Sequence, residues 1–371
     1  MMVFIRLFFC LILYGSFQCY FFYIKNKVVD TKRIRESILY RIISNIYIPI
    51  VSNKIEINIP ILAAVDHRGI GRLTRIILKK YFSFASLFQT SNKKIFLYPS
   101  ITLCPGKLIG ESIIFALDTI PLELKFNSKQ KALYWKRKYQ AILTQKAKFA
   151  TISEFSKKRL LHYFNFLAPK DVNVLYLGTD HLADIKSFKS VKQNNFLLPF
   201  REKDYFVYIG NSLGYKNLKI IIEAIGKHRA LSNLVVVGLK NDKIASLANK
   251  LNVTDRIFFT GHVNDNNLSA IIKNSTFLVS PSLIEGFGLP PFEAAKFRIP
   301  SICSDIKIYR ELLSNCCLYA DPFIAKDWAS KINHFSMDHK FRDKISNIAY
   351  KNLSKYKWDV FFGKLNILIY K

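Results

Sequence analysis

The chain has 371 residues, half of them apolar and 14% aromatic, with a formal net charge of +30. That length allows two domains with sizeable cores, and that apolar content excludes a disordered or low-complexity chain. Six cysteines without a C-x-x-C pair exclude a zinc ribbon or a disulfide framework and read as free thiols of a reducing compartment.

The charge is unevenly spread. Residues 1–200 carry 31 Lys/Arg against 11 Asp/Glu, and residues 201–371 carry 25 against 15. The more basic first half fits an anionic partner, with a membrane surface or a phosphorylated lipid favoured. No nucleic-acid-binding signature is present, and a coding bias toward A/T-rich codons accounts for part of the lysine.

In chain order, the first element is MMVFIRLFFCLILYGSFQCYFFYI (1–24), apolar and long enough to cross a bilayer. Lys25, Lys27, Lys32, Arg33 and Arg35 follow it and would keep the rest of the chain on the cytoplasmic side. An interfacial segment, an artefactual start and a cleaved signal peptide stay open, although no small-residue cleavage site closes the run. The expected location is the cytoplasmic face of the inner or plasma membrane, peripheral or anchored by residues 1–28.

Strand and helix signals then alternate. IEINIPILAAV (55–65) reads as a strand, DHRGIGR as a loop and residues 72–88 as an amphipathic helix. KIFLY (94–98) and SIIFALD (112–118) have strand length; residues 128–147 read as a helix. KFATIS (148–153), the capped helix SEFSKKRLLHYF and the strand VNVLYLG (172–178) complete the series. Residues 181–203 lose the pattern and read as a linker. Alternation then restarts through YFVYIGN, NLVVVGL, RIFFTGHV, TFLVSPS, PSICSDI and CCLYADP, with a helix starting at Lys216 after the first. Such a series makes a parallel sheet covered by helices on both faces. The expected fold is α/β, with two facing Rossmann-like domains: residues 50–185 for an acceptor and 204–352 for a donor. Residues 353–371 would form a helix crossing back to the first domain. Ligands in such sheets bind beyond the carboxyl ends of the strands, here in the cleft between domains.

PSLIEGFGLPPFE (281–293) lies at such a strand end. Gly286 and Gly288 let the backbone approach a ligand, and Pro290 or Pro291 suits a helix start. The helix N-terminus and its free N–H groups would hold a diphosphate. Glu285 and Glu293, as hydrogen-bond acceptors, would grip sugar hydroxyls on either side. No D-x-D pair occurs, so no metal or other cofactor is expected.

Glu285-GFGLPPF-Glu293 resembles the E-x7-E signature of the family-4 retaining glycosyltransferases, which have the GT-B fold. RIFFTGHVNDNNLSAIIKNSTFLVSPS, YIGNSLGYKNL, FALDTIPLEL, TISEFSKKRL, VLYLGTD, DHRGIGRLTR and YKWDVFFGKLNILIY resemble further landmarks of that family, from about residue 55 to the end. The resemblance implies that Glu293 binds the ribose of a nucleotide-diphosphate sugar and that Glu285 contacts the transferred sugar. The backbone of Gly286, Phe287, Gly288 and Leu289 would hold the sugar and diphosphate, beside Gly210 and Asn211. Lys216 would neutralise the departing diphosphate. Gly69, Gly71 and Arg72 would form a first-domain loop facing the donor, and Asp118 would stand at the cleft end of its strand.

Two departures stand out. The family's Arg before the lysine is missing from Asn211-Ser212-Leu213-Gly214-Tyr215, and Arg72 is the candidate substitute. Leu117 replaces a His before Asp118. His67 beside the glycine loop is a further candidate contact, whereas His162 reads as solvated or core-satisfied. The implied activity is retaining, metal-independent transfer of a hexose, with mannose a candidate, from a nucleotide sugar to a glycan or lipid-linked acceptor in bacterial surface polysaccharide or lipopolysaccharide assembly. Two rivals remain. A dinucleotide oxidoreductase would need a G-x-G-x-x-G that is absent, and a non-catalytic nucleotide-sugar-binding scaffold would bind without turnover.

Overall fold

A computed structural model describes residues 47–52, 54–64, 69–81, 91–123, 127–180, 198–211, 213–230 and 232–370. The apolar segment 1–28, His67 and residues 181–197 of the linker lie outside them, as do Cys10 and Cys19. No helix among the described residues is long and apolar enough to cross a membrane. Cys104, Cys303, Cys316 and Cys317 are buried free thiols.

The described chain forms two six-stranded sheets. The first contains β1 (Tyr47–Ser52), β2 (Ile55–Pro60), β3 (Lys93–Tyr98), β4 (Ser112–Phe115), β5 (Lys148–Thr151) and β6 (Val172–Val174). They lie side by side in sequence order. β2 to β6 pair in parallel, while β1 pairs antiparallel with β2, Ile50 opposite Ile57. The sequence reading has no strand at 47–52. Ile48, Ile50 and Val51 are nonetheless buried there, which a half-covered edge strand requires.

The first sheet also shortens two predicted elements. β2 ends at Pro60, whose ring leaves no N–H for a ladder, and Ile61–Ala64 turns into one helical turn. The predicted loop DHRGIGR is in part a helix, because α1 spans Gly69–Tyr81. Leu73, Ile77 and Leu78 are buried along one side of it. The Thr74 hydroxyl donates to the Ile70 carbonyl at 2.8 Å within its first turns. A glycine inside a helix costs about 1 kcal/mol relative to alanine, and this apolar stripe outweighs it. Gly69, Gly71 and Arg72 therefore sit on a helix rather than a loop.

The second sheet contains β7 (Tyr205–Ile209), β8 (Asn233–Val237), β9 (Ile257–Gly261), β10 (Leu278–Ser280), β11 (Ser301–Ser304) and β12 (Leu318–Ala320). Its order is β12-β11-β10-β7-β8-β9, all parallel. The order reverses between β7 and β10, and such a reversal opens a crevice at the carboxyl ends of the two strands.

The last described helix spans Trp358–Tyr370 and packs on the first sheet. Phe361 stacks on Phe115 with ring centroids 5.9 Å apart. Tyr81 donates to Asn366 at 2.6 Å, and the Tyr370 hydroxyl meets that of Ser52 at 3.0 Å. Its start is seated by Gly178-Thr179-Asp180. Asp180 accepts the Trp358 N–H at 3.0 Å, and Thr179 donates its N–H to the Tyr356 carbonyl at 2.9 Å. A Cβ on Gly178 would lie 2.4 Å from the Trp358 backbone nitrogen. One continuous apolar cluster runs from Ile57 and Ile95 of the first sheet through Phe361 and Leu365 to Phe287, Phe292 and Tyr309 of the second domain.

Candidate active site

The loops that follow β7 and β10 meet at the reversal point. After β7 the chain makes a 3-10 turn, Gly214–Lys216, and Asn217 follows in the left-handed region at φ 54°. Lys216 thus lies on this turn rather than on the helix that begins at Leu218. After β10 comes the 281–289 corner. The Leu283 N–H donates to the Tyr215 carbonyl at 2.7 Å and ties the two loops together.

Lys216 Nζ donates to Glu285 Oε1 at 2.5 Å, and Ser282 Oγ donates to the same oxygen at 2.7 Å. Their side chains are 18% and 9% exposed, so this ion pair is largely removed from water. Burial is the largest influence and works against the lysine charge, but Glu285, Tyr215 and Asp118 together outweigh it and hold the ammonium pKa above its ordinary value. Lys216 is therefore a fixed cation at the strand ends, paired with the carboxylate expected to meet the sugar.

The glycines of the corner have separate causes. Gly288 has φ +79°, and a Cβ there would come within 2.4 Å of the Tyr309 ring. A Cβ on Gly286 would lie 2.8 Å from the Leu117 carbonyl oxygen, so this residue lets the corner touch the first domain. The contact is reinforced by Ser153 Oγ donating to the Gly286 carbonyl at 2.8 Å.

The helix after the corner, Pro290–Lys296, is only seven residues long. Its first two residues are prolines and supply no N–H, and the Phe292 and Glu293 N–H groups both donate to the Leu289 carbonyl. The expectation that this helix end offers free N–H groups to a diphosphate is thus corrected. The available donors belong to the corner itself. Among the described residues, no protein acceptor takes the backbone N–H of Phe287, Gly288 or Leu289.

Glu293 is on this helix and its side chain is 2% exposed. Its Oε1 accepts from Arg72 Nη1, which reaches across from α1 of the first domain, while Arg72 Nη2 meets Asp265 Oδ1 at 3.2 Å. Burial disfavours the guanidinium charge, and Glu293 with Asp265 more than restores it. Asp265 begins the helix Asp265–Asn274; nothing in VNDNNLS marks it as an Arg partner, because the partner comes from another domain.

Asp118 lies three residues beyond β4 and accepts the Ile120 N–H at 2.9 Å, as a turn cap does. It is also near enough to Lys216 to favour its charge. Asn211 likewise caps its own loop, accepting the Leu213 N–H at 3.3 Å, and the Gly210 N–H donates to Val237. Missed by sequence reasoning are Ser282, which orients Glu285, and Glu311. The Glu311 carboxylate of the second domain accepts the N–H groups of Glu154 and Phe155, at 2.9 and 2.7 Å, and caps a first-domain helix. Among the described residues, no group of three or more His, Cys, Asp or Glu is placed to hold a metal ion.

The reversal point thus carries a buried Lys–Glu pair and a second buried Glu. Residues 191–352 match the family model for glycosyl transferases group 1. The matched stretch contains Lys216, Glu285 and Glu293 together. Over 225 residues the chain is 30% identical to the O-antigen chain mannosyltransferase RfbU of Salmonella typhimurium, covering 60% of this chain and 63% of that one. The chain thus spans less than two thirds of that relative's length. The structure of WaaG, a glycosyltransferase involved in lipopolysaccharide biosynthesis, superposes with a TM-score of 0.59 at 16% identity, covering 82% of this chain and 84% of WaaG. Anabaena HepE, solved with UDP and glucose, gives a TM-score of 0.61 at 12% identity with the same two coverages. At such identities the likeness establishes the fold, which is the two-domain GT-B arrangement.

Proposed function

We propose that this protein is a glycosyltransferase that moves a hexose, with mannose favoured, from a nucleotide-diphosphate sugar to a glycan or lipid-linked acceptor in bacterial surface polysaccharide assembly. The observation that carries this reading is the Lys216–Glu285 pair at the reversal point of a group 1 domain, with Glu293 beside it. The mannosyltransferase and O-antigen name of the relative supports the sugar and the setting.

Transfer breaks the bond between the anomeric carbon and the diphosphate oxygen, which keeps the electron pair. The acceptor hydroxyl oxygen forms the new bond and gives its proton to the departing diphosphate oxygen. Charge therefore grows on the diphosphate, and a cation fixed beforehand stabilises it as it grows, as Lys216 would. The N–H groups of Phe287, Gly288 and Leu289 add donors that need no reorganisation. Glu285 and Glu293 accept from hydroxyls and so position rather than protonate. These parts neutralise the leaving group without a metal, so transfer should persist in excess EDTA.

The test is release of nucleoside diphosphate from GDP- and UDP-sugars in the presence of a lipid-linked glycan acceptor. Turnover with one base, retained in EDTA, is the expected outcome. Tight binding without turnover would favour the non-catalytic sugar-nucleotide scaffold instead. The basic first half and the apolar residues 1–24 support a place on the cytoplasmic face of the membrane. Release of the protein by a carbonate wash of membranes would overturn anchoring by that segment.

A further inference from the structure

Glu285 and Glu293 are both buried and both meet a cation. For Glu285 that cation comes from its own domain. For Glu293 it is Arg72, from the other one. We propose that Arg72 is the second phosphate-binding cation of the site, held on Glu293 until a donor arrives and then transferred to the donor diphosphate. This inference rests on the glycosyltransferase reading above.

Three observations converge on it. First, residues 211–215, which join β7 to Lys216, contain no cation. A nucleoside diphosphate carries at least two negative charges, and Lys216 alone leaves it under-neutralised. Second, Glu293 Oε1, the atom expected to accept from ribose hydroxyls, is engaged by Arg72. A carboxylate buried to 2% exposure needs such a partner while no ligand is present. Hydroxyls that take over Glu293 would release the guanidinium within the same cleft. Third, the remaining hold on Arg72 is weak. Asp265, at 3.2 Å, is 73% exposed, so solvent screens that contact.

Donor binding then becomes an exchange of partners. Hydroxyls replace the cations on the two carboxylates, and the diphosphate takes the cations. A guanidinium suits this role because its planar fork meets two phosphate oxygens at once. Arg72 is carried on α1 of the first domain, so the exchange would couple occupancy of the donor site to the approach of the two domains.

The test compares calorimetric titrations of GDP, UDP, GMP and UMP into the full chain and its variants. R72A should weaken binding of the preferred nucleoside diphosphate about tenfold or more. The matching monophosphate, with Glu293 released, should bind as well as before or better. R72K should recover part of the loss. A static strut between domains would instead make both nucleotides weaken together, and that result, or no loss at all, overturns the proposal. D265N provides an arm that does not disturb a buried group: diphosphate affinity should hold or rise, and a fall would overturn the proposal. If the unaltered protein binds none of the four nucleotides, the glycosyltransferase reading itself fails, which is a separate outcome.

Discussion

The two sheets differ in one topological respect. The second reverses its strand order between β7 and β10, whereas the described strands of the first run in plain sequence order. The consequence is visible in the side chains. The second domain assembles its own polar centre, Lys216, Ser282 and Glu285, from two loops that the reversal brings together. The first domain's own ion pairs among the described residues, such as Glu123 with Arg159, join no residue of the second domain. That domain contributes single groups across the boundary: Arg72 to Glu293, Ser153 to the Gly286 carbonyl, and two N–H groups to Glu311. One domain thus carries the polar centre, and the other reaches it with single groups.

This division can be attacked experimentally. The largest loss should follow Lys216→Ala, which removes a fixed cation and leaves Glu285 buried and uncompensated. Turnover of the nucleotide sugar should fall about 10²–10³-fold. A loss under tenfold would mean that the polar centre of the second domain does not drive transfer. The carboxylates should separate by kinetic parameter. Glu285→Ala should mainly lower kcat, and Glu293→Ala should mainly raise KM for the donor, each by about tenfold or more. Equal behaviour of the two variants would erase the distinction between sugar and ribose contacts.

The smallest effect on chemistry, but a clear one on stability, is expected at the crossover. Gly178→Ala places a Cβ against the Trp358 backbone. That should cost about 1–3 kcal/mol in a thermal melt, with turnover per folded molecule largely kept. If instead turnover collapses while the melt is unchanged, the last helix is part of the site rather than a brace between the domains.

Much of this was legible beforehand because it depends on local spacing. The strand–loop–helix rhythm of residues 205–320 reflects apolar runs of strand length separated by amphipathic helices, and it is read without knowing any partner. Glu285 and Glu293 were visible as a pair because glycines and prolines fix the corner between them. The errors have equally local causes. β1 is hidden in the sequence because Pro49 interrupts its apolar run, and only an edge strand tolerates a proline there. The glycines of DHRGIGRLTR were read as a loop because glycine disfavours helix, while the buried stripe of Leu73, Ile77 and Leu78 that overrides it is a packing effect.

What the sequence determined by itself was the family resemblance, the alternating architecture and the identity of the residues at one strand end, since all three are encoded within short windows. Which atoms meet was decided only by tertiary structure. That Glu285 pairs with Lys216, 69 positions away, follows from the reversal of strand order. That two prolines strip the next helix of N–H donors follows from where that helix begins. That Arg72 meets Glu293, 221 positions away, follows from the packing of one domain against the other. Hydrogen bonds and ion pairs reach only a few ångströms, so their partners are set by the path of the folded chain and not by their distance along it.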